Sequence, residues 1–190
     1  AVPIAPSSSV DRRSSYDRRK AAIWINRQTS GTYPAGAPYS HVAYGDIDHD
    51  GDADFVRTFN VPDALTPVQV MINNGDGSFS DQSATRIIGP QPGVGVARKV
   101  LSGDYNADGW PDFFVVPHGP DAPPFPGEYP QLFLSNGNGT LHYAPGLESE
   151  VAFFHAGASA DIDGDGAEDI LLGGEHPFVL VNDGDGSFTR

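Results

Sequence analysis

Three copies of one short acidic segment constrain the fold of this chain more than any other feature. The copies share a leading small residue, an aspartate and a following apolar run: GDIDHDGDADFVRTF (45–59), GDYNADGWPDFFVVP (103–117) and ADIDGDGAEDILLGG (160–174). Their leading aspartates, Asp46, Asp104 and Asp161, lie 58 and 57 residues apart. A repeat of this length indicates one structural unit per copy, stacked on its neighbours.

Each unit also carries a second shared segment that ends in a Gly-rich turn and an apolar residue: QVMINNGDGSF (69–79), QLFLSNGNGTL (131–141) and FVLVNDGDGSF (178–188). Asn, Asp and Gly tolerate the positive φ angles of tight hairpins, so this segment predicts two strands joined by a turn. With the strands that flank the acidic loop, each unit has four strands. A period near 57 residues with four short strands is typical of one β-propeller blade. We therefore predict an all-β fold, a β-propeller of four-stranded blades.

The predicted strands follow the same order in each unit. The first strands cover 39–45, 97–103 and 153–160, and the second strands 53–59, 112–116 and 168–172. The third strands cover 68–73, 131–135 and 177–181, and the fourth begin at Ser78, Thr140 and Ser187.

About three and a half blades are visible. Segment 22–33 resembles a third and a fourth strand, which gives a half blade at 22–38 before blades at about 39–82, 95–144 and 152–190. A closed propeller needs at least four blades. We expect either that the natural chain continues beyond Arg190 or that chains complete one another through open blade edges, since unpaired strands invite pairing.

The charge of the chain is strongly negative and unevenly spread. There are 25 acidic and 11 basic residues, a formal charge of −14, and residues 1–21 form a basic tail that we expect to be flexible. The acidic body excludes a nucleic-acid surface, and no apolar stretch reaches the ~18 residues of a membrane span. The absence of cysteine excludes disulfides, thiolate metal sites and a cysteine nucleophile.

The acidic loops have the form D-x-[DN]-x-D-G-x-x-D, which suits calcium. Calcium binds several oxygen atoms at once, and side chains at positions 1, 3, 5 and 9 with the carbonyl of position 7 can supply them. We expect three Ca²⁺ sites. The predicted ligands are Asp46, Asp48, Asp50, Asp54 and the carbonyl of Asp52; Asp104, Asn106, Asp108, Asp112 and the carbonyl of Trp110; and Asp161, Asp163, Asp165, Asp169 and the carbonyl of Ala167.

Two other interpretations of the loops are weaker. An EF-hand needs Glu at position 12 and flanking helices, but Arg57, Val115 and Leu172 stand there between strand-like segments. Acidic surface turns without a metal would be a sufficient explanation for one such loop. Three loops at the same position of successive repeats are explained better by metal sites. Of the 25 acidic residues, 11 occupy ligand positions, and three bound Ca²⁺ would change the formal charge from −14 to −8.

These loops and turns resemble the FG-GAP or VCBS repeats of the integrin α-chain type of β-propeller, over roughly residues 22–190. In that family a calcium loop of this form joins the first two strands of each blade. The resemblance implies a secreted or cell-surface propeller, stabilised by calcium and used for adhesion, carbohydrate binding or as part of larger secreted proteins. The Phe-Gly and Gly-Ala-Pro elements are mostly absent, which favours the microbial secreted branch over integrins.

No catalytic motif accompanies the repeats, and we expect a protein that is not an enzyme. The Pro-rich connector His118–Pro130 offers Phe125 and Tyr129 for stacking on a sugar or partner, with Asp121 and Glu128 as polar contacts. A stiff linker is the favoured alternative for this connector. Asn138 begins the N-glycosylation pattern of residues 138–140, although the hairpin turn at this place requires the same residue types without any glycan. His155 is interpreted as a packed interior histidine.

The leading hypothesis is a secreted calcium-binding propeller module, with structural calcium, for adhesion or for carbohydrate or protein recognition at the cell surface or matrix. One alternative is a structural assembly protein that forms a ring or filament by completion of blades between chains. Another is an accessory domain of a larger secreted enzyme.

Overall fold

The computed structural model describes residues 40–61 and 64–190, and this part of the chain forms three consecutive β-sheets. The first sheet is antiparallel, with its strands side by side in chain order: β1 (Ser40–Gly45), β2 (Asp54–Phe59), β3 (Gln69–Asn73) and β4 (Phe79–Asp81). The third sheet repeats this order: β10 (Phe154–Ala160), β11 (Asp169–Gly174), β12 (Phe178–Asn182) and β13 (Phe188–Thr189).

The second sheet has the same four antiparallel strands and one more. Its members are β5 (Ile87–Ile88), β6 (Ala97–Gly103), β7 (Asp112–Pro117), β8 (Gln131–Ser135) and β9 (Leu141–Ala144). The added strand β5 pairs in parallel with β9 at the outer edge. A single turn of helix, α1 (Ser83–Arg86), leads into β5 from the first sheet.

The predicted fold class is confirmed: the described residues are nearly all β, and the three sheets are propeller blades built on the same four strands, to which the second sheet adds β5. Each of the twelve strands predicted for the three full blades is present, and its start differs from the prediction by at most one residue. The sequence did not predict α1 or β5. The predicted tail at 1–21 and half blade at 22–38 lie outside the described residues.

The hydrophobic core lies between sheets. Side chains of β2, β3, β7 and β8 form one buried cluster between the first and second blades, including Val56, Val70, Val115 and Phe133. A second cluster fills the space between the second and third blades, with Phe114, Leu132 and Ile170 among its members. Strand β6 packs against both β1 and β10, so the first strand of each blade lies beside that of the next. All six residues of β2 and of β7 are buried. Burial on both faces of the sheet explains why β7 is nearly apolar throughout.

In the described residues, no helix has the length and apolar character needed to cross a membrane.

Candidate metal centre

The three acidic loops join the first strand of each blade to the second, at the same end of all three sheets. Numbered from the leading aspartate, each loop has left-handed backbone at positions 4 and 6. Glycine occupies position 6 in every loop, whereas position 4 holds His49 (φ 57°), Ala107 (φ 57°) and Gly164 (φ 85°). A residue with a Cβ is strained in this region. The shared conformation therefore belongs to the loop and not to one residue type.

We expect Ala107→Gly to stabilise the protein by roughly 0.5–1 kcal/mol, because glycine removes the left-handed strain at an entropy cost smaller than that strain. Gly164→Ala at the same position of the third loop should destabilise by a similar amount. Its new Cβ would meet no atom within 4 Å, so strain alone would act. Urea denaturation in excess chelator measures both. Unchanged free energies of unfolding in both variants would contradict the shared backbone conformation.

The aspartate at position 9 of each loop is fully buried and ties the loop to the third strand of its own blade. In the first blade, Asp54 accepts hydrogen bonds from the N–H of Ile47 (2.8 Å) and of Asn73 (2.8 Å). In the second, Asp112 accepts from Tyr105 (2.8 Å) and Ser135 (2.7 Å).

The third blade repeats this arrangement. Asp169 accepts from the N–H of Ile162 (2.7 Å) and of Asn182 (2.9 Å). One carboxylate oxygen thus fixes position 2 of the loop and the other fixes the end of the third strand. This structural role comes in addition to the metal-ligand role that the sequence predicts.

Burial also changes the proton affinity of these aspartates. It raises the pKa of Asp54 and of Asp112 to about 6, against the lowering effect of their N–H donors. At Asp169 the N–H of Asn182 dominates and lowers the pKa. In the metal-free protein, protonation of Asp54 and Asp112 stabilises the fold fully below about pH 4, and this contribution is lost as the pH rises through about 6. At neutral pH both carry buried negative charge, which a bound cation would offset.

The carboxylates at positions 1, 3 and 9 converge in two of the three loops. Each offers an oxygen within 4.8 Å of the others in the sets Asp46, Asp48, Asp54 and Asp161, Asp163, Asp169. In the first set, Asp46 Oδ1 and Asp48 Oδ1 are buried without a hydrogen-bond partner. Buried unpaired carboxylate oxygens are costly. Hard anionic oxygens in this arrangement fit Ca²⁺, which binds to carboxylates from a single tight turn.

The second loop differs because Asn106 replaces the carboxylate at position 3. Its amide Nδ2 donates to Asp108 Oδ2 (3.2 Å), and Asp104 accepts from the N–H of Asp108 (3.0 Å) and Gly109 (2.9 Å). No convergent set of three acidic side chains forms here within the described residues. One charge fewer predicts the weakest calcium affinity of the three loops.

Position 5 is not part of the convergent sets. Asp50, Asp108 and Asp165 are exposed, and each accepts a hydrogen bond of 2.8 Å from the N–H of position 7. The ligand roles of position 5 and of the position 7 carbonyls, at Asp52, Trp110 and Ala167, stay predictions.

Arg86 is a component of the first site that the sequence did not reveal. Its Nη2 donates to Asp48 Oδ2 (3.0 Å), and its Nη1 donates to the carbonyl of Gly139 (2.8 Å) in the hairpin of the second blade. The ring of His49 stacks on that of Trp110 in the next loop, with centroids 3.5 Å apart. Neighbouring loops are therefore connected across the blade boundary.

The residues predicted for ligand binding are only partly brought together. Asp121 and Phe125 line a cleft between the second and third blades, whereas Tyr129 is not among its lining residues. The interpretation of His155 is wrong: this side chain is exposed and lines the same cleft, because the first strand of the third blade begins at its rim. Asn138 is exposed and its Oδ1 accepts from the N–H of Thr140 (3.2 Å), so glycosylation there stays a prediction.

The blades and their loops define a propeller-type repeat module. The family model described as FG-GAP-like repeat matches residues 60–115 and again 104–172, which together cover more than half of the 190 residues. The chain belongs to the FG-GAP-like repeat family, a non-catalytic repeat module. No curated protein matches the chain significantly.

Proposed function

We propose that the chain is a calcium-stabilised propeller module that recognises a ligand at a cell surface or in the extracellular matrix. In this proposal calcium is structural and the protein is secreted. Each ion would hold one acidic loop in the conformation that joins two strands of a blade. The blades would then present the loops and clefts at their ends to a carbohydrate or protein ligand.

The observation that carries the proposal is the pair of buried, unpartnered oxygens on Asp46 and Asp48. They lie in a set of three carboxylates that recurs, at the same loop positions, in the third blade. Asp54 adds a fully buried charge to the first set. An acidic surface turn has no reason to collect carboxylates away from water, because their repulsion and desolvation destabilise it.

Calcium titration of the demetallated chain tests the proposal. Isothermal titration calorimetry should give three sites, with the second loop the weakest, and replacing Asp46 by Asn should remove one of them. The affinity should fall as the pH is lowered from about 7 to about 5, because protons compete for Asp54 and Asp112.

Asp121→Asn is the matched control, since this acidic side chain is 71% exposed and lies outside the loops. It should leave the number of sites unchanged. A demetallated chain that takes up no calcium, or that loses a site equally with Asp121→Asn, would refute the proposal.

A further inference from the structure

One feature to which no role has yet been assigned is the cleft between the second and third blades. Its volume is about 630 Å³, within the ~300–1,000 Å³ of small-molecule sites. It lies at the strand ends opposite the acidic loops, where β6 and β10 begin and β7 and β11 end. The cleft is therefore separate from the candidate metal sites.

The wall formed by the Pro-rich connector is fixed in place. Glu128 and Ala152 exchange two backbone hydrogen bonds (3.1 and 3.3 Å) that join the connector to the third blade. The Glu128 carboxylate also accepts from the N–H of Gly95 (3.0 Å). Gly127 packs so closely on Ala152 that a Cβ would lie 2.8 Å from its carbonyl carbon. A cleft with such a wall is preformed, which lowers the entropy cost of binding.

Aromatic rings gather in the cleft. Phe125 is 52% exposed and its ring centroid lies 5.8 Å from that of Phe153. Phe153 in turn contacts the ring of His118, with centroids 3.9 Å apart. Phe125 has a φ of 56°, which is unusual for a bulky residue and is tolerated where the surroundings hold it. An exposed ring held in this way offers an apolar surface to a ligand.

The polar groups of the cleft disfavour an anionic ligand. Arg98 Nη2 lies 3.2 Å from His118 Nε2 and 3.9 Å from Asp121 Oδ2. His118 Nδ1 donates to the carbonyl of Gly119 (3.1 Å), so Nε2 is the acceptor for Arg98 and this histidine is neutral. Burial lowers the pKa of His118 accordingly. With Asp121 and Glu175 against the one arginine, the lining has a negative balance that repels anions.

We propose that this cleft binds a neutral sugar ring. The exposed face of Phe125 would contact the C–H groups of the pyranose, while Asp121, Glu175 and Arg98 would hydrogen-bond its hydroxyls. This inference rests on the proposed recognition function and adds the place and the chemical class of the ligand. Planar carboxylates and a guanidinium can each bridge two neighbouring hydroxyls, and an aromatic face selects a ring with an apolar side.

Saturation-transfer NMR on the full chain with calcium tests the inference. The probes are methyl α-glucopyranoside, methyl β-galactopyranoside, methyl α-mannopyranoside and N-acetylglucosamine, with glucuronate as the charged comparison. At least one neutral probe should bind with a millimolar dissociation constant, and glucuronate about tenfold more weakly. Phe125→Ala should weaken the neutral probe about tenfold.

Ile88→Ala is the control, because Ile88 is 53% exposed but lies on β5, away from the cleft. It should leave the affinity unchanged. Binding of none of the neutral probes, tighter binding of glucuronate, or equal binding by Phe125→Ala would overturn the inference. A chain that binds calcium but no sugar refutes this inference alone, and a chain that binds sugar without taking up calcium refutes the calcium proposal alone.

Discussion

Removal of calcium should lower the melting temperature of the chain by about 15–30 °C. A site whose free ligand is about a hundredfold above its dissociation constant stabilises the fold by ~2.7 kcal/mol, so three sites would contribute about 8 kcal/mol. For a domain of this size each kcal/mol changes the melting temperature by about 2–4 °C. Differential scanning calorimetry in excess calcium and in excess EGTA measures the difference.

Two comparisons show whether the effect comes from the acidic loops. Calcium added back in excess over EGTA should restore the melting temperature, whereas magnesium should restore little of it, since magnesium retains its waters and rarely occupies cages of protein ligands. In the doubly substituted variant Asp46→Asn, Asp161→Asn, the melting temperatures in excess calcium and in excess EGTA should differ much less than in the unsubstituted chain. Identical melting temperatures of the unsubstituted chain in calcium and EGTA would exclude a structural role for the metal.

The second large effect is expected for Asp112→Ala. The substitution leaves two buried N–H groups, of Tyr105 and Ser135, without their acceptor. Each unsatisfied buried group costs about 1–3 kcal/mol, so we expect a loss of roughly 2–6 kcal/mol. Urea denaturation in EGTA measures this loss, because both proteins are then metal-free and calcium binding makes no contribution to the difference.

Asp121→Ala provides the comparison for this prediction. It removes the same carboxylate from a side chain that is 71% exposed, and should change the free energy of unfolding by less than about 0.5 kcal/mol. Asp108→Ala, in the same loop as Asp112, should also have a small effect in EGTA, since Asp108 is exposed. If Asp112→Ala behaves like Asp121→Ala in EGTA, the tie to the third strand contributes nothing to stability.

The strands could be predicted closely because apolar runs and Gly-rich turns are local signals that recur in each unit. The prediction missed α1 and β5, since four helical residues and two strand residues are too short to show a periodic pattern of apolar side chains. The extra strand forms because β9 of the second blade offers it a free edge, which is a property of the packed blades and not of this segment.

The candidate sites also depend on contacts between distant residues, which the sequence does not predict. Spacing alone predicts which carboxylates can converge, but it does not reveal that Asp112 binds the N–H of Ser135, 23 residues away. Nor does it reveal Arg86, whose contact with Asp48 spans 38 residues. The cleft was predicted only in part, because Phe153 reaches the connector from the next blade along the chain.

The tie formed by the buried aspartate has a consequence for the evolution of such chains. In every blade the donor and acceptor groups of this tie belong to the same repeat, as they do for Asp54 with Ile47 and Asn73. Duplication or deletion of a whole repeat in the gene leaves the tie intact. The number of repeats can therefore change without further substitutions in the loop, provided that the adjacent blade covers the faces of the sheet that would otherwise be exposed.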